Sequence, residues 1–289
     1  MAFDFGILAA FGAMLAWGLG DFLIQRSVRR VGRVHALAFI AVTGTIMLLP
    51  LALQDMHLLL VPQNLALLLF LGLFALASSM ITFRALGEGK LSIVMVVFAL
   101  ELPLTVLLST TLLGEALSLV QFAAIAIVFA GVLLVSVSSL SAAIFSGNLE
   151  KGALLAVASA ASFAIMNYLL TLGARQASPA ISVWFIWLVL AAAPLLLIFL
   201  RRGFGSFRKN FFSSPRLLLA TGFFDTIGWL LFTVALVDNK LAIVAAIMVN
   251  YTTVGLLLGV LINREKISAH QYAGAAIALA AGVALALIA

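Results

Sequence analysis

Apolar residues fill this chain in runs of about twenty, and polar residues gather in the short gaps between them. A run of that length matches the hydrocarbon thickness a helix must cross. Cutting at charges and turn residues predicts ten membrane spans, at 5–25, 35–53, 64–84, 91–112, 118–137, 152–172, 180–200, 216–236, 241–262 and 269–288. The longer connections are 138–151, rich in Ser, Ala and Gly, and 201–215, rich in Arg, Lys and Phe. The first of these is the natural hinge between two halves.

The pattern repeats. Lys90-Leu91-Ser92-Ile93-Val94 is answered 150 residues later by Lys240-Leu241-Ala242-Ile243-Val244, and Glu115, Ser118 and Gln121 by Glu265, Ser268 and Gln271. Earlier in each half the offset is 146: Gly6 with Gly152, Trp17 with Phe163, Asp21 with Asn167, Phe39 with Phe185. The drift fits extra residues in the Arg-rich loop. Each half holds five spans, and tandem copies of an odd-numbered unit enter the membrane from opposite sides. The expected fold is therefore all-α, with ten transmembrane helices in two inverted five-helix repeats, 1–140 and 150–289, around a central cavity.

Composition agrees. Of 289 residues, 65% are hydrophobic and 9% charged, against about a quarter charged in a soluble domain. The formal charge of +6 is confined to short loops, a pattern of membrane orientation rather than nucleic-acid binding. No cysteine is present, so disulfides and thiolate chemistry are excluded. The N-terminal run lacks a basic leader segment and reads as the first span. His35, His57 and His270 are too scattered for a metal site, and no Walker motif is present, so neither metal nor cofactor is expected.

The chain resembles the drug/metabolite transporter superfamily, specifically its ten-helix EamA-type members. The resemblance spans nearly the whole chain. It is most specific at Ala85-Leu86, Glu101 to Pro103, and Leu113-Gly114-Glu115 with Gln121, and is echoed at Ala235-Leu236 and Glu265. In the second half Thr253 stands in the proline's place and Arg264 in the glycine's. The resemblance implies alternating access through a cavity lined mainly by spans 1, 3, 4, 6, 8 and 9. It implies no single substrate, since members move amino acids, sugars, drugs and other metabolites.

Orientation follows from charge. The odd-numbered loops carry thirteen Lys and Arg residues, among them Arg26, Arg29, Arg30 and Arg33, and the even-numbered loops two, Arg175 and Lys240. The positive-inside rule puts the odd loops in the cytoplasm and both termini outside. The resemblance implies the opposite, and the charge bias is preferred here. The expected location is the cell (inner or plasma) membrane, as a monomer or homodimer.

Chemistry in a bilayer is sought among polar groups that are costly there. Asp21, Arg84, Glu101 and Asp225 all fall within predicted spans. Glu101 and Asp225 lie at mid-span depth, where an ionisable carboxylate would bind a cationic group or a coupling proton. The structural alternative is a compensated charge, Glu101 against Arg84 or nearby hydroxyls. Asp21 and its repeat mate Asn167 are either cavity contacts or interfacial polar residues. Asn250 and Tyr251, the mates of Leu100 and Glu101, could donate hydrogen bonds to substrate or join helices. Trp17 and Trp229 share spans with Asp21 and Asp225 and are the cavity candidates among the tryptophans. Pro103, two residues past Glu101, removes a backbone donor and is the expected hinge. Glu115 and Glu265 end their spans and suit structure or gating. The alanine- and glycine-rich faces of spans 5 and 10 suit close helix packing.

Together these features predict a secondary transporter, not an enzyme, exporting small polar metabolites such as amino acids or amines, with protons as a candidate coupling ion. Sugar, nucleotide-sugar or drug transport is the alternative within the fold. A non-transporting receptor is another, and so is an intramembrane aspartyl protease, from the Gly18-Leu19-Gly20-Asp21 string. The protease reading leaves the repeat unexplained.

Overall fold

The computed structural model describes residues 4–88, 97–145, 151–263 and 268–289. Within these, every regular element is helical. The described helices are α1 (Phe5–Val31), α2 (Arg33–Asp55), α3 (Pro62–Glu88), α4 (Glu101–Leu112), α5 (Leu119–Phe145), α6 (Lys151–Gln176), α7 (Pro179–Leu200), α8 (Phe204–Ser213), α9 (Pro215–Ala235), α10 (Leu241–Met248), α11 (Tyr251–Asn263) and α12 (Ala269–Leu287). Eight segments are long and apolar enough to cross a membrane, α10 and α11 counting together as one, and two shorter apolar helices, Glu101–Leu112 and Leu119–Val135, accompany them. The repeat segment Lys90 to Val94, and Arg264 and Glu265, lie outside the described residues.

Two features depart from the expected spans. The segment 201–215 is not all loop: α8 is a short helix that lays Phe207 and Phe211 against Phe39 and leaves Phe204 and Phe212 exposed. A basic, aromatic helix of this kind suits a membrane interface. The second departure is that the fourth and ninth spans are interrupted. Ala99 and Leu100 form a turn and helix resumes at Glu101; Val249 and Asn250 form a turn and helix resumes at Tyr251.

The hydrogen bonds at the two breaks correspond one for one. Leu100 N–H donates to Val97 C=O as Asn250 N–H does to Ile247 C=O, and Leu102 to Ala99 as Thr252 to Val249. These three-residue steps are tighter than α-helical ones and mark strain or a hinge.

The principal pairings join one half to the other: α1 with α9, α3 with α6, α2 with α7, and α5 with α12. Exchanging the halves maps these pairings onto one another, so the halves interdigitate rather than sit side by side. Small residues permit the closest of them. A Cβ on Gly131 would come within 2.7 Å of the Ala278 backbone, and one on Gly274 within 2.7 Å of Gly131 C=O. The alanine-rich faces of α5 and α12 therefore pack within the chain.

The repeated Ser and Gln have a local purpose. Ser118 with Gln121, and Ser268 with Gln271, form reciprocal caps at the starts of α5 and α12. Each glutamine also reaches the opposite helix: Gln121 Nε2 donates to Ile288 C=O and Gln271 Nε2 to Val135 C=O, both at 2.9 Å.

Candidate functional site

A cavity with about 900 Å³ of empty space, its open mouth included, lies between the halves. Its walls come from α1, α3, α4, α6, α9, α10 and α11, as the expected lining predicts, and also from α2 and α7, which supply Leu37 and Trp187. Six lining pairs are repeat mates: Trp17 and Phe163, Asp21 and Asn167, Leu37 and Val183 at an offset of 146; Ser79 and Trp229, Phe98 and Met248, Glu101 and Tyr251 at 150.

The match between mates is one of place, not of chemistry. Asp21, Glu101 and Asp225 all line the cavity, whereas their mates are Asn167, Tyr251 and Ala75. Three carboxyl groups therefore face one cavity, and no Lys, Arg or His lines it among the described residues.

Each acid is held differently. Glu101, buried at the start of α4, accepts a 2.6 Å hydrogen bond from Asn167 Nδ2, which also reaches Thr105 Oγ1 at 3.4 Å. Asp225 is buried in α9 and lines the cavity together with Trp17. Asp21 is half-buried, and no hydrogen-bond donor reaches it among the described residues. At Gly20, one residue earlier, α1 runs against the Asp225 backbone, which sets the two aspartates in one region. The aromatic wall is continuous. Trp17 meets Trp229 edge-on at 4.8 Å and Tyr251 at 6.4 Å, and Phe163 stacks on Trp229 at 6.0 Å.

Two sequence candidates fall elsewhere. Arg84 does not enter the cavity and does not pair with Glu101. Its side chain is 56% exposed and bonds Glu88 at 3.0 Å, with Arg33 on the same carboxylate at 3.1 Å. Its position near the end of α3 lets the long side chain leave the apolar layer. The Arg84 and Arg33 guanidiniums hold the Glu88 carboxyl below the usual carboxylate range. Asn250 is also absent from the cavity wall. It is buried in the second break, where its amide donates to Ala246 C=O at 3.2 Å and Ile247 C=O at 3.1 Å. Pro103 is in the first turn of α4, exposed, two residues past Glu101. Trp187 and Phe163 were not singled out from sequence. Phe163 was findable as the mate of Trp17, while nothing in sequence separates Trp187 from a membrane-interface tryptophan.

The face carrying the chain termini is closed by a polar lattice. Arg175 donates to Glu115 Oε1 at 3.0 Å, to Leu236 C=O at 3.0 Å and to Asn239 C=O at 2.9 Å. Glu115 in turn accepts from Leu241 N–H at 3.0 Å and Ala242 N–H at 3.4 Å, capping α10 from the loop between α4 and α5. Gly114, at φ 67°, turns the chain so that this carboxylate can reach. Lys240 Nζ adds a 2.6 Å bond to Ala116 C=O. Away from that face the cavity extends further: Ile24, Thr82 and Phe83 line it, whereas their mates Leu170, Phe232 and Thr233 are each 0% exposed.

The sequence profile of the EamA-like transporter family matches residues 4–137 and again residues 150–288. The chain belongs to that family. It is a multi-pass membrane transporter of the drug/metabolite type. A solved structure described as "Crystal structure of protein" is 17% identical and superposes with a TM-score of 0.74, over 100% of this chain and 98% of the other. That likeness concerns the fold alone. No curated protein matches the chain.

Proposed function

We propose that this EamA-like transporter is a secondary active carrier that exports small polar metabolites, amino acids or amines, across the cell membrane. The five-span repeats 1–140 and 150–289 rock about the cavity so that it opens to one face at a time. The observation that carries this reading is the combination of three carboxyl groups and an aromatic wall in a cavity sealed at the terminal face. Three carboxylates without a counter-cation are costly in an apolar surround, so they are accompanied by protons or by a positively charged substrate group. Glu101, Asp21 and Asp225 carry the binding or proton coupling. Asn167 orients Glu101, and Trp17, Tyr251 and Trp229 complete the wall.

The face away from the termini holds most of the basic loop residues. If the charge bias sets orientation, the cavity loads from the cytoplasm, as an exporter requires. The hinge is the pair of breaks before Glu101 and Tyr251. Pro103 withholds a donor from the first, and the Asn250 amide competes for carbonyls in the second.

The test is uptake into proteoliposomes of a panel of amino acids, amines and sugars, with and without a pH gradient. Saturable uptake of an amine or amino acid, altered by the gradient, is expected. Uptake of sugars alone would overturn the substrate assignment, and no uptake of any solute would overturn the carrier reading.

A further inference from the structure

The lining of the cavity is unbalanced in a second sense, that of hydrogen bonding. Asp21 has no donor among the described residues. Asn167, 1% exposed, spends its amide N–H groups on Glu101 and Thr105 and keeps its Oδ1 without a partner. Both are acceptors, and an unpaired buried acceptor is satisfied by a ligand that donates.

The donors on the lining residues are all neutral: the hydroxyls of Ser79, Thr82 and Tyr251 and the indole N–H groups of Trp17, Trp187 and Trp229. The Thr82 hydroxyl is committed to Ser78 C=O. The Trp187 indole N–H is buried and unpaired, in a residue 4% exposed that contributes to the cavity wall. Neutral donors are a poor match for a desolvated carboxylate, which ordinarily takes an Arg, a Lys or several converging N–H groups. The ring faces of Trp17, Trp229, Phe163 and Tyr251 meanwhile present negative π density, which attracts an ammonium.

We infer that the cavity selects organic ammonium ions that carry no carboxylate, with the ammonium held by Asp21 against the tryptophan wall. The inference rests on the carrier reading above and narrows it: of amino acids and amines, the amine is the substrate. An amino acid brings the same ammonium and adds a negative group that meets three carboxyls and no cation. Rejection is thus built from repulsion as well as from the lack of a cationic partner on the described lining.

Matched pairs that differ only by the carboxylate isolate this effect: tryptamine against tryptophan, and cadaverine against lysine. Binding to the purified full chain in detergent is measured by calorimetry near neutral pH, and uptake of the same compounds is measured in liposomes. The amine of at least one pair is expected to bind at least tenfold more tightly than its amino acid. Asp21→Asn, which copies the residue at the equivalent place in the other half, is expected to weaken amine binding at least tenfold while the protein still melts cooperatively. Equal or tighter binding of both amino acids, or no amine binding at all, overturns the inference. So does amine binding that is unchanged in Asp21→Asn. Amino-acid uptake with amine rejection removes the inference and leaves the carrier reading. Amine-selective binding without uptake removes the carrier reading and leaves the inference.

Discussion

Glu101 and Tyr251, 150 residues apart, are each the first residue of a helix that restarts after a broken turn. One half places a carboxylate at the break and the other a phenol. The two breaks are also kept open by different devices. In the first, Pro103 has no N–H to return to Ala99 C=O, which is taken instead by Leu102. In the second, Thr253 keeps its N–H, and the Asn250 side chain occupies the carbonyls of Ala246 and Ile247.

Removing either device should let the span close into a more continuous helix. Pro103→Ala and Asn250→Leu are each expected to slow transport more than they weaken binding. Asn250→Leu should also lower the melting temperature, because losing two buried hydrogen bonds costs on the order of 1 kcal/mol or more. Turnover and binding measured on the same preparation check this. Unchanged turnover in both variants would make the breaks fixed features of cavity shape.

Glu101→Gln keeps an oxygen that can accept from Asn167 Nδ2, so the protein is expected to fold with little loss of stability. It cannot ionise, and uptake and its pH dependence should both be lost. Uptake as a function of pH in liposomes decides the matter. Transport with an unaltered pH profile would clear Glu101 of both roles and make Asp225 the first residue to test.

The closed face gives a third expectation. Arg175 ties Glu115 to the ends of α9 and α10, so Arg175→Ala should loosen that face. The chain has no cysteine, which allows a single reporter thiol at Val183, on the cavity wall. Labelling of Val183→Cys by a membrane-impermeant maleimide added on the terminal face is expected to speed up when Arg175 is removed. An unchanged rate would mean the lattice does not hold the face shut.

Orientation is tested separately. With thirteen basic residues in the odd loops against two in the even ones, both termini are expected outside. A C-terminal reporter that functions only in the cytoplasm should be silent, and a strong signal would reverse the assignment.

Much of this architecture was legible because bilayer helices announce themselves by length. The apolar runs, the repeat, and the acids at Asp21, Glu101 and Asp225 all follow from where polar residues interrupt hydrophobic ones. Local interruptions were not legible. The stretches through Leu100 and Asn250 read as unbroken apolar runs, and only Pro103 hinted at the first break. Asn250 looks from sequence like a substrate donor, yet its amide turns back on its own backbone, a choice settled by three-dimensional packing. Arg84 misled for a related reason: a run of apolar letters does not say where the membrane ends, and a long cationic side chain at a helix end can lean out of it. Trp187 reads from sequence as one more tryptophan of an apolar span, because its place on the cavity wall is set by how the helices pack.

The interdigitation of the halves has a consequence for how the chain is made. Ser27 of α1 bonds Thr221 of α9 at 2.9 Å, and Gln121 of α5 bonds Ile288 beyond α12 at 2.9 Å, so partners needed by the first five spans are the last to be synthesised. While the ribosome is still translating the second half, the inserted first half stands in lipid with these polar groups unmatched and its glycine seams empty. Assembly of the cavity is thus a late event, and the nascent chain passes through a stage in which it is fully inserted but not yet folded, the stage at which membrane quality control would meet it.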